Sequence, residues 1–220
     1  MFDKNITEIS TRLEDKRAKK IIFAAHCILN ENVRVQAGAF RKGPINEIVD
    51  ELQENDIGIV QMKCPEQKAW GGVLRTHLWQ PVGTKGSLQY RFMPLILPTF
   101  VWYTRRIWKR IARETVSEMK DYVNSGYEIM GVIGISASPS CGINTTFDLK
   151  GAFEWISGVE VKEIELSKMR KQYFEQLTIP GKGMYIDELQ KEMRKQGIKA
   201  KFYEHDLKAD LEGEPVKLLF

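Results

Sequence analysis

YEIMGVIGISASPSCG, residues 127–142, decides how the chain is read. Its first nine residues are a near-continuous apolar run of strand length, rich in β-branched side chains, which stops in a Ser, Pro and Gly turn carrying a cysteine. Such a strand must be covered on both faces, the condition of a central strand in a parallel sheet. The turn raises a second point: a cysteine that only packs needs no polar collar.

Outward from this run the same alternation recurs. IIFAAHC (21–27) reads as a buried strand, PINEIVDELQEN (44–55) as an amphipathic helix and IGIVQMKC (57–64) as a second strand. TRRIWKRIARETVSEMKDYVN (104–124) reads as a long helix with Ile107, Ile111 and Met119 facing in. An irregular region follows YEIMGVIGI, then helices over about 167–178 and 184–196, then KAKFYEH (199–205) as a last strand. The fold class is therefore α/β: a single Rossmann-like three-layer domain over 21–220, with a mostly parallel sheet and right-handed crossovers. Residues 1–20 form a charged N-terminal extension.

Composition limits the function. A chain of 220 residues that is 43% hydrophobic can bury a real core, and a net charge of +4 in a chain that is 28% charged favours no class of partner. The opening MFDKNITEISTRLEDKRAKK lacks the apolar centre of a signal peptide, and the longest apolar run, FMPLILPTFVWY (92–103), is too short to span a bilayer and holds two prolines. A cytoplasmic protein without a membrane partner is expected. Three widely spaced cysteines in that compartment argue against a disulfide framework and leave packing, metal binding or catalysis. No pattern sets an oligomeric state.

Cys27, Cys64 and Cys141 each fall at the carboxyl end of an expected strand, the edge at which open α/β sheets bind ligands. Each is followed by turn residues (CILNEN, CPEQ, CGIN) rather than by further apolar packing. Three unrelated core cysteines are the plain alternative. Three thiolates at one mouth suit a soft metal. Zinc would complete a tetrahedron with His26 or His77, although a lone histidine beside a strand or in a loop is more often an ordinary bonded polar residue than a ligand. An iron–sulfur cubane held by three cysteines keeps one iron open. Thiol redox catalysis is disfavoured because no C-x-x-C pair exists.

AAHCILNENVR, MKCPEQKAWGGVLR and ASPSCG, in that order, resemble the three signature blocks of the thiouracil desulfurase (TudS-type) family, and GKGMYIDELQKEMRKQGIKA resembles its closing helix and strand. The resemblance runs from about residue 20 to about 205. It implies that Cys27, Cys64 and Cys141 hold a [4Fe-4S] cluster whose fourth iron captures the sulfur of a thio-base or thio-nucleotide, which leaves as hydrosulfide and is replaced by oxygen. It further implies that Glu66 is the catalytic acid–base group and that the Ser138 hydroxyl positions substrate or passes a proton. Ser140, Gly71, Gly72, Arg34 and Arg75 are the substrate-side candidates, with a solvated surface role as the simpler reading of each arginine. The family continues its first block as Arg-Tyr-Asp-Gly, whereas this chain reads Arg34, Val35, Gln36, Ala37, so a different thio-substrate is expected. The alternative function is a non-catalytic module or sensor holding zinc or a cluster in the same thiols.

FVWYTRRIWKRIAR (100–113) places Arg105, Arg106, Lys109, Arg110 and Arg113 opposite Ile107 and Ile111. The expected role is the solvated face of a core helix. A nucleic-acid contact face and a membrane-surface helix are the two alternatives.

Overall fold

The computed structural model describes residues 6–78, 83–160, 162 and 164–217. After helix α1 (Ile6–Arg12), strand β1 (Lys20–Ala24) runs into the short α2 (His26–Leu29); α3 (Asn46–Glu54) leads to β2 (Gly58–Gln61), and α4 (Pro65–Trp70) precedes the long α5 (Leu88–Asn124). Strand β3 (Glu128–Ile135) follows, then β4 (Thr145–Phe147), α6 (Leu149–Ser157), α7 (Leu166–Leu177), β5 (Thr178–Pro180), α8 (Met184–Lys195), β6 (Lys201–His205) and α9 (Leu207–Glu212). The main sheet has the order β2-β1-β3-β6 with every pair parallel, and β4 and β5 form a separate antiparallel pair.

Handedness arranges the layers. The step from β1 to β2 runs one way along the sheet, and the steps from β2 to β3 and from β3 to β6 run the other. Right-handed crossovers therefore place α3 on one face and α5 with α8 on the opposite one. The packing agrees: α5 and α8 bury Trp108, Ile111, Val116 and Met119 with Tyr185, Ile186 and Leu189, while α3 buries Ile48 and Leu52. The central strands are the most apolar, with Ile22, Phe23 and Ala24 of β1 and Val132 and Ile133 of β3 fully buried. The direction of winding reverses between β1 and β3, and the crevice beyond their carboxyl ends is the place such a sheet offers to a ligand.

Three sequence expectations need correction. The strands are shorter: β1 ends at Ala24 and β2 at Gln61, because His26 opens α2 and Cys64 caps α4 ahead of Pro65 at its first position. The irregular region after β3 contains the three-residue β4 and the nine-residue α6. Finally, α5 begins at Leu88 rather than near 104 and runs through Pro94 and Pro98. Ser87 caps it by accepting the Tyr90 N–H at 3.2 Å, and both prolines are exposed, so water can reach the carbonyls whose partners they remove. Even so, among the described residues no helix is long and apolar enough to cross a membrane.

The turn after β3 is the most constrained loop. Ile135 N–H donates to the Cys141 carbonyl at 3.0 Å, closing the loop onto its own strand, and the Gly183, Met184 and Ile186 N–H groups donate to the carbonyls of Gly142, Pro139 and Ser140. The start of α8 thus places its unpaired donors on the cysteine loop. Contact is tight: a Cβ on Gly183 would lie 2.3 Å from the Ser140 carbonyl oxygen. Gly183→Ala is therefore expected to lower stability by about 1–3 kcal/mol in urea denaturation, as overpacked sites do. Gly43→Ala, where nothing lies within 4 Å, is expected to change it by less than about 0.5 kcal/mol.

Candidate functional site

The three cysteines meet where the winding reverses. Cys27 sits on α2 just beyond β1, Cys64 at the N-cap of α4 beyond β2, and Cys141 in the turn beyond β3. All three are free thiols lining one cavity of about 230 Å³. Cys64 and Cys141 are buried and Cys27 partly so. Burial pushes the Cys64 thiol up to about 12, with the Glu66 charge adding to it and the Arg75 guanidinium opposing it. Cys141 is raised well above the ordinary range, first by burial and then by the charge of Cys27; Cys27 is raised by burial and drawn back by Arg34. The thiols thus hinder one another's ionisation, as neighbouring negative charges lining one cavity do. Among the described residues, no group of three His, Cys, Asp or Glu side chains is arranged to hold a single metal ion.

Glu66 follows Cys64 and Pro65 on the first turn of α4 and faces the same cavity. The Ser140 hydroxyl donates to its Oε1 at 2.8 Å, and the Ser138 hydroxyl lies longer, at 3.4 Å. Ser138 instead accepts the Cys141 N–H at 3.0 Å, the bond that shapes the SPSC turn. Of the two serines, Ser140 is thus the direct partner of the carboxylate. Trp108, fully buried, donates its indole N–H to the Pro65 carbonyl at 2.8 Å and so holds α4 against the core.

The arginines overturn the surface reading. Arg75 is only 2% exposed and donates to the carbonyls of Val33 and Val73 at 2.8 and 2.9 Å and to the Cys64 sulfur at 3.1 Å, with its Nε 3.7 Å from Glu66 Oε2. Arg34, also buried, pairs with Glu31 at 3.1 Å and faces Cys27. Both line the cavity as fixed cations beside thiols. Gly71 and Gly72 do not: they lie outside its lining, at the end of α4, where their positive φ values of 72° and 65° make the turn. The histidines are bonded to the backbone, His26 Nδ1 to the Met62 carbonyl at 3.2 Å and His77 Nε2 to the Trp70 carbonyl.

Most of the cavity wall went unread in the sequence. Phe147 and Tyr173 stack at 4.4 Å, and Trp70 stacks on Phe100 at 5.9 Å with its indole N–H on the Thr104 hydroxyl at 2.9 Å. Arg170 covers the Phe40 ring at 4.4 Å and donates to the carbonyls of Ala37 and Ala39. Glu31, with no exposed surface, organises this side: it accepts the Phe40 and Arg41 N–H groups at 2.6 and 2.8 Å besides pairing with Arg34. Its sequence signal, an acid three residues before an arginine, is too common to single out.

The basic face of α5 is largely engaged within the chain. Arg105 pairs with Glu188 at 2.8 Å, Arg110 with Glu114 at 3.7 Å and Arg113 with Glu192 at 3.6 Å, while Arg106 lies 5.8 Å over the Trp102 ring.

Comparison with known proteins adds little to this geometry. No family model matches the chain, and no solved structure matches it. It is similar to an uncharacterized protein of Methanocaldococcus jannaschii, with 27% identity over 164 residues that cover 71% of this chain and 92% of the relative.

Removing Glu31 leaves Arg34 buried without its carboxylate and two N–H groups without an acceptor. Glu31→Ala is expected to cost about 3–5 kcal/mol in chemical denaturation, the range for breaking one side of a buried ion pair. A loss under about 1 kcal/mol would mean that the 31–41 loop does not depend on it.

Proposed function

We propose that this chain is a desulfidase that replaces the sulfur of a small thiocarbonyl compound with oxygen, using a [4Fe-4S] cluster held by Cys27, Cys64 and Cys141. The observation that carries the reading is the meeting of three thiols and one hydrogen-bonded carboxylate in a single, otherwise largely apolar cavity. The resemblance of the CPE and SPSCG blocks to the TudS-type family points to the cofactor, and the surroundings fit it. The donor set is sulfur alone, the choice for iron–sulfur chemistry. Three thiolates and Glu66 line the cavity with three guanidinium groups, those of Arg34, Arg75 and Arg170, and Arg34 is already paired with Glu31, so an excess of negative charge remains that a cationic centre offsets. A cubane spreads its ligands over three irons and so takes a wider triangle than one zinc ion does. Donors on the Cys64 sulfur from Arg75 and from the Gln67 N–H are of the kind that orient and tune cluster thiolates.

When bound, the cluster supplies an open iron, a Lewis acid with affinity for sulfur. The residues of the chain do the rest. Stacked Phe147 and Tyr173 offer a flat wall to a planar ring, and the apolar lining keeps bulk water away. Ser140 fixes Oε1 of Glu66, which leaves Oε2 to take a proton from the attacking water. Water supplies the oxygen of the new carbonyl, the carbon–sulfur bond breaks and sulfur departs as hydrosulfide, so no electrons are gained or lost. Arg75 and Arg34 act as held counter-charges: the Nη1 of each donates to backbone carbonyls, Arg75 Nη2 donates to the Cys64 sulfur and Arg34 Nη2 pairs with Glu31, while the Nε–H of each is buried without a hydrogen-bond acceptor among the described residues.

The test is iron, acid-labile sulfide and zinc content of protein prepared without oxygen, followed by sulfide release from thio-bases. About four irons and four sulfides per chain are expected. Each of Cys27→Ser, Cys64→Ser and Cys141→Ser should lose them, while Glu66→Ala should keep them and lose turnover by about 100-fold or more. Stoichiometric zinc without sulfide after anaerobic reconstitution would instead assign a metal-binding module, and a fully active Glu66→Ala would remove the proposed base.

A further inference from the structure

We propose that the first half of α5 is a self-association seam through which two copies of the chain pack their helices antiparallel. The second half of α5 is an ordinary core helix, burying Thr104, Trp108, Ile111, Ala112, Val116 and Met119. The first half is different. Its inner side meets the body of the protein through buried Met93 and partly buried Phe100, yet its outer side is apolar as well. Leu95 is 72% exposed, Trp102 62% and Leu88 69%, with Phe92, Ile96 and Tyr103 about half exposed. A helix apolar all round is one that something else covers.

The spacing says what kind of partner fits. Leu88, Phe92, Leu95, Thr99 and Trp102 follow one another at steps of four, three, four and three, the 3.5-residue period of a seam that packs against another helix. Ile96 and Tyr103 flank it. The same seam on a second copy is self-complementary about position 97: run antiparallel, Phe92 meets Trp102 of the second copy and Leu95 meets Thr99 of the second copy, so aromatic pairs flank a smaller centre. A parallel pairing would set Trp102 on itself and align Arg91 with Arg91 and Arg106 with Arg106, and residues 67–113 contain no Asp or Glu to offset them. The exposed apolar side chains offer roughly 700 Å² per chain, so two seams would bury roughly 1,400 Å², inside the range of stable specific interfaces. A nucleic acid would leave the aliphatic centre at Leu95 and Ile96 uncovered. The inference is independent of the proposed reaction.

Sedimentation velocity of the full chain between about 1 and 100 µM tests it, with a dimer of twice 25.4 kDa expected. Leu95→Glu should sediment as a monomer with unchanged circular dichroism, as should Trp102→Ser, a second variant in case the first misfolds. Ser117→Glu, exposed on the same helix beyond the seam, should remain a dimer. A wild-type chain that stays monomeric over the whole range, or seam variants that stay dimeric, would overturn the proposal. So would a monomer that co-sediments with phosphatidylglycerol vesicles, which would assign the face to an anionic bilayer.

Discussion

The carbonyls of Pro139, Ser140 and Gly142 accept the first N–H groups of α8, and the candidate site depends on that contact. A turn after a buried strand would ordinarily point its polar backbone to water. Here residues 136–143 are all buried, so each backbone group needs a partner from the protein. The start of α8 supplies donors that no helix can satisfy internally, and the turn supplies acceptors that the sheet has left behind. Only glycine at 183 permits the approach. Because the loop cannot drift, Ser138 can hold the Cys141 N–H, Ser140 can reach Glu66, and the Cys141 sulfur is presented to the thiols from the other two strands.

Electrostatics then explains the rest of the cavity. Thiols placed in apolar surroundings resist ionisation, and each ionised neighbour makes the next harder to charge. Two guanidinium groups brought inside partly offset this, but buried cations need partners of their own. Arg75 finds them in the Val33 and Val73 carbonyls, and Arg34 in Glu31, which in turn fixes the 31–41 loop through Phe40 and Arg41. Arg41 carries the network onward to Asp210, paired at 2.8 Å, and Asp210 to His205 at the end of β6. Burial raises the Asp210 carboxyl, yet the bonds from His205 and Arg41 outweigh it and hold the group below its ordinary range. A chain of paired charges thus links α9 and the sheet edge to the wall beside Cys27.

How much of this was legible follows from which interactions are local. Continuous apolar runs of strand length at 21–24 and 129–135 mark the central strands of a parallel sheet wherever they occur, and the cysteines past them follow from chain order alone. Helix α5 was half legible: Ile107, Ile111 and Met119 recur at helical spacing, although Trp108 rather than the half-buried Ile107 is the fully buried residue of its turn, whereas Pro94 and Pro98 mask a helix held by a cap at Ser87 and by packing through Phe100 and Trp70. The arginines were misread because burial of a guanidinium depends on acceptors far along the chain; Arg75 reaches the Val33 carbonyl 42 residues away. The cavity wall from Phe147 to Phe174 was silent for the same reason, since ring stacking between a three-residue strand and a helix leaves no period to detect.

One helix connects these parts. In its second half α5 packs on the sheet and α8; in its first half Phe100 lines the cavity against Trp70 and Phe153, while Trp102 and Leu95, on the opposite side of the same turns, face outward. Pro94 and Pro98 in this stretch bring no N–H to the helix, so it resists bending less than an unbroken helix would. Phe100 on the cavity side and Leu95 and Trp102 on the outer side are thus carried by the same two turns of one helix. A second helix seated there would hold the wall from behind, and the shape of the site would become a property of the assembly as much as of the chain.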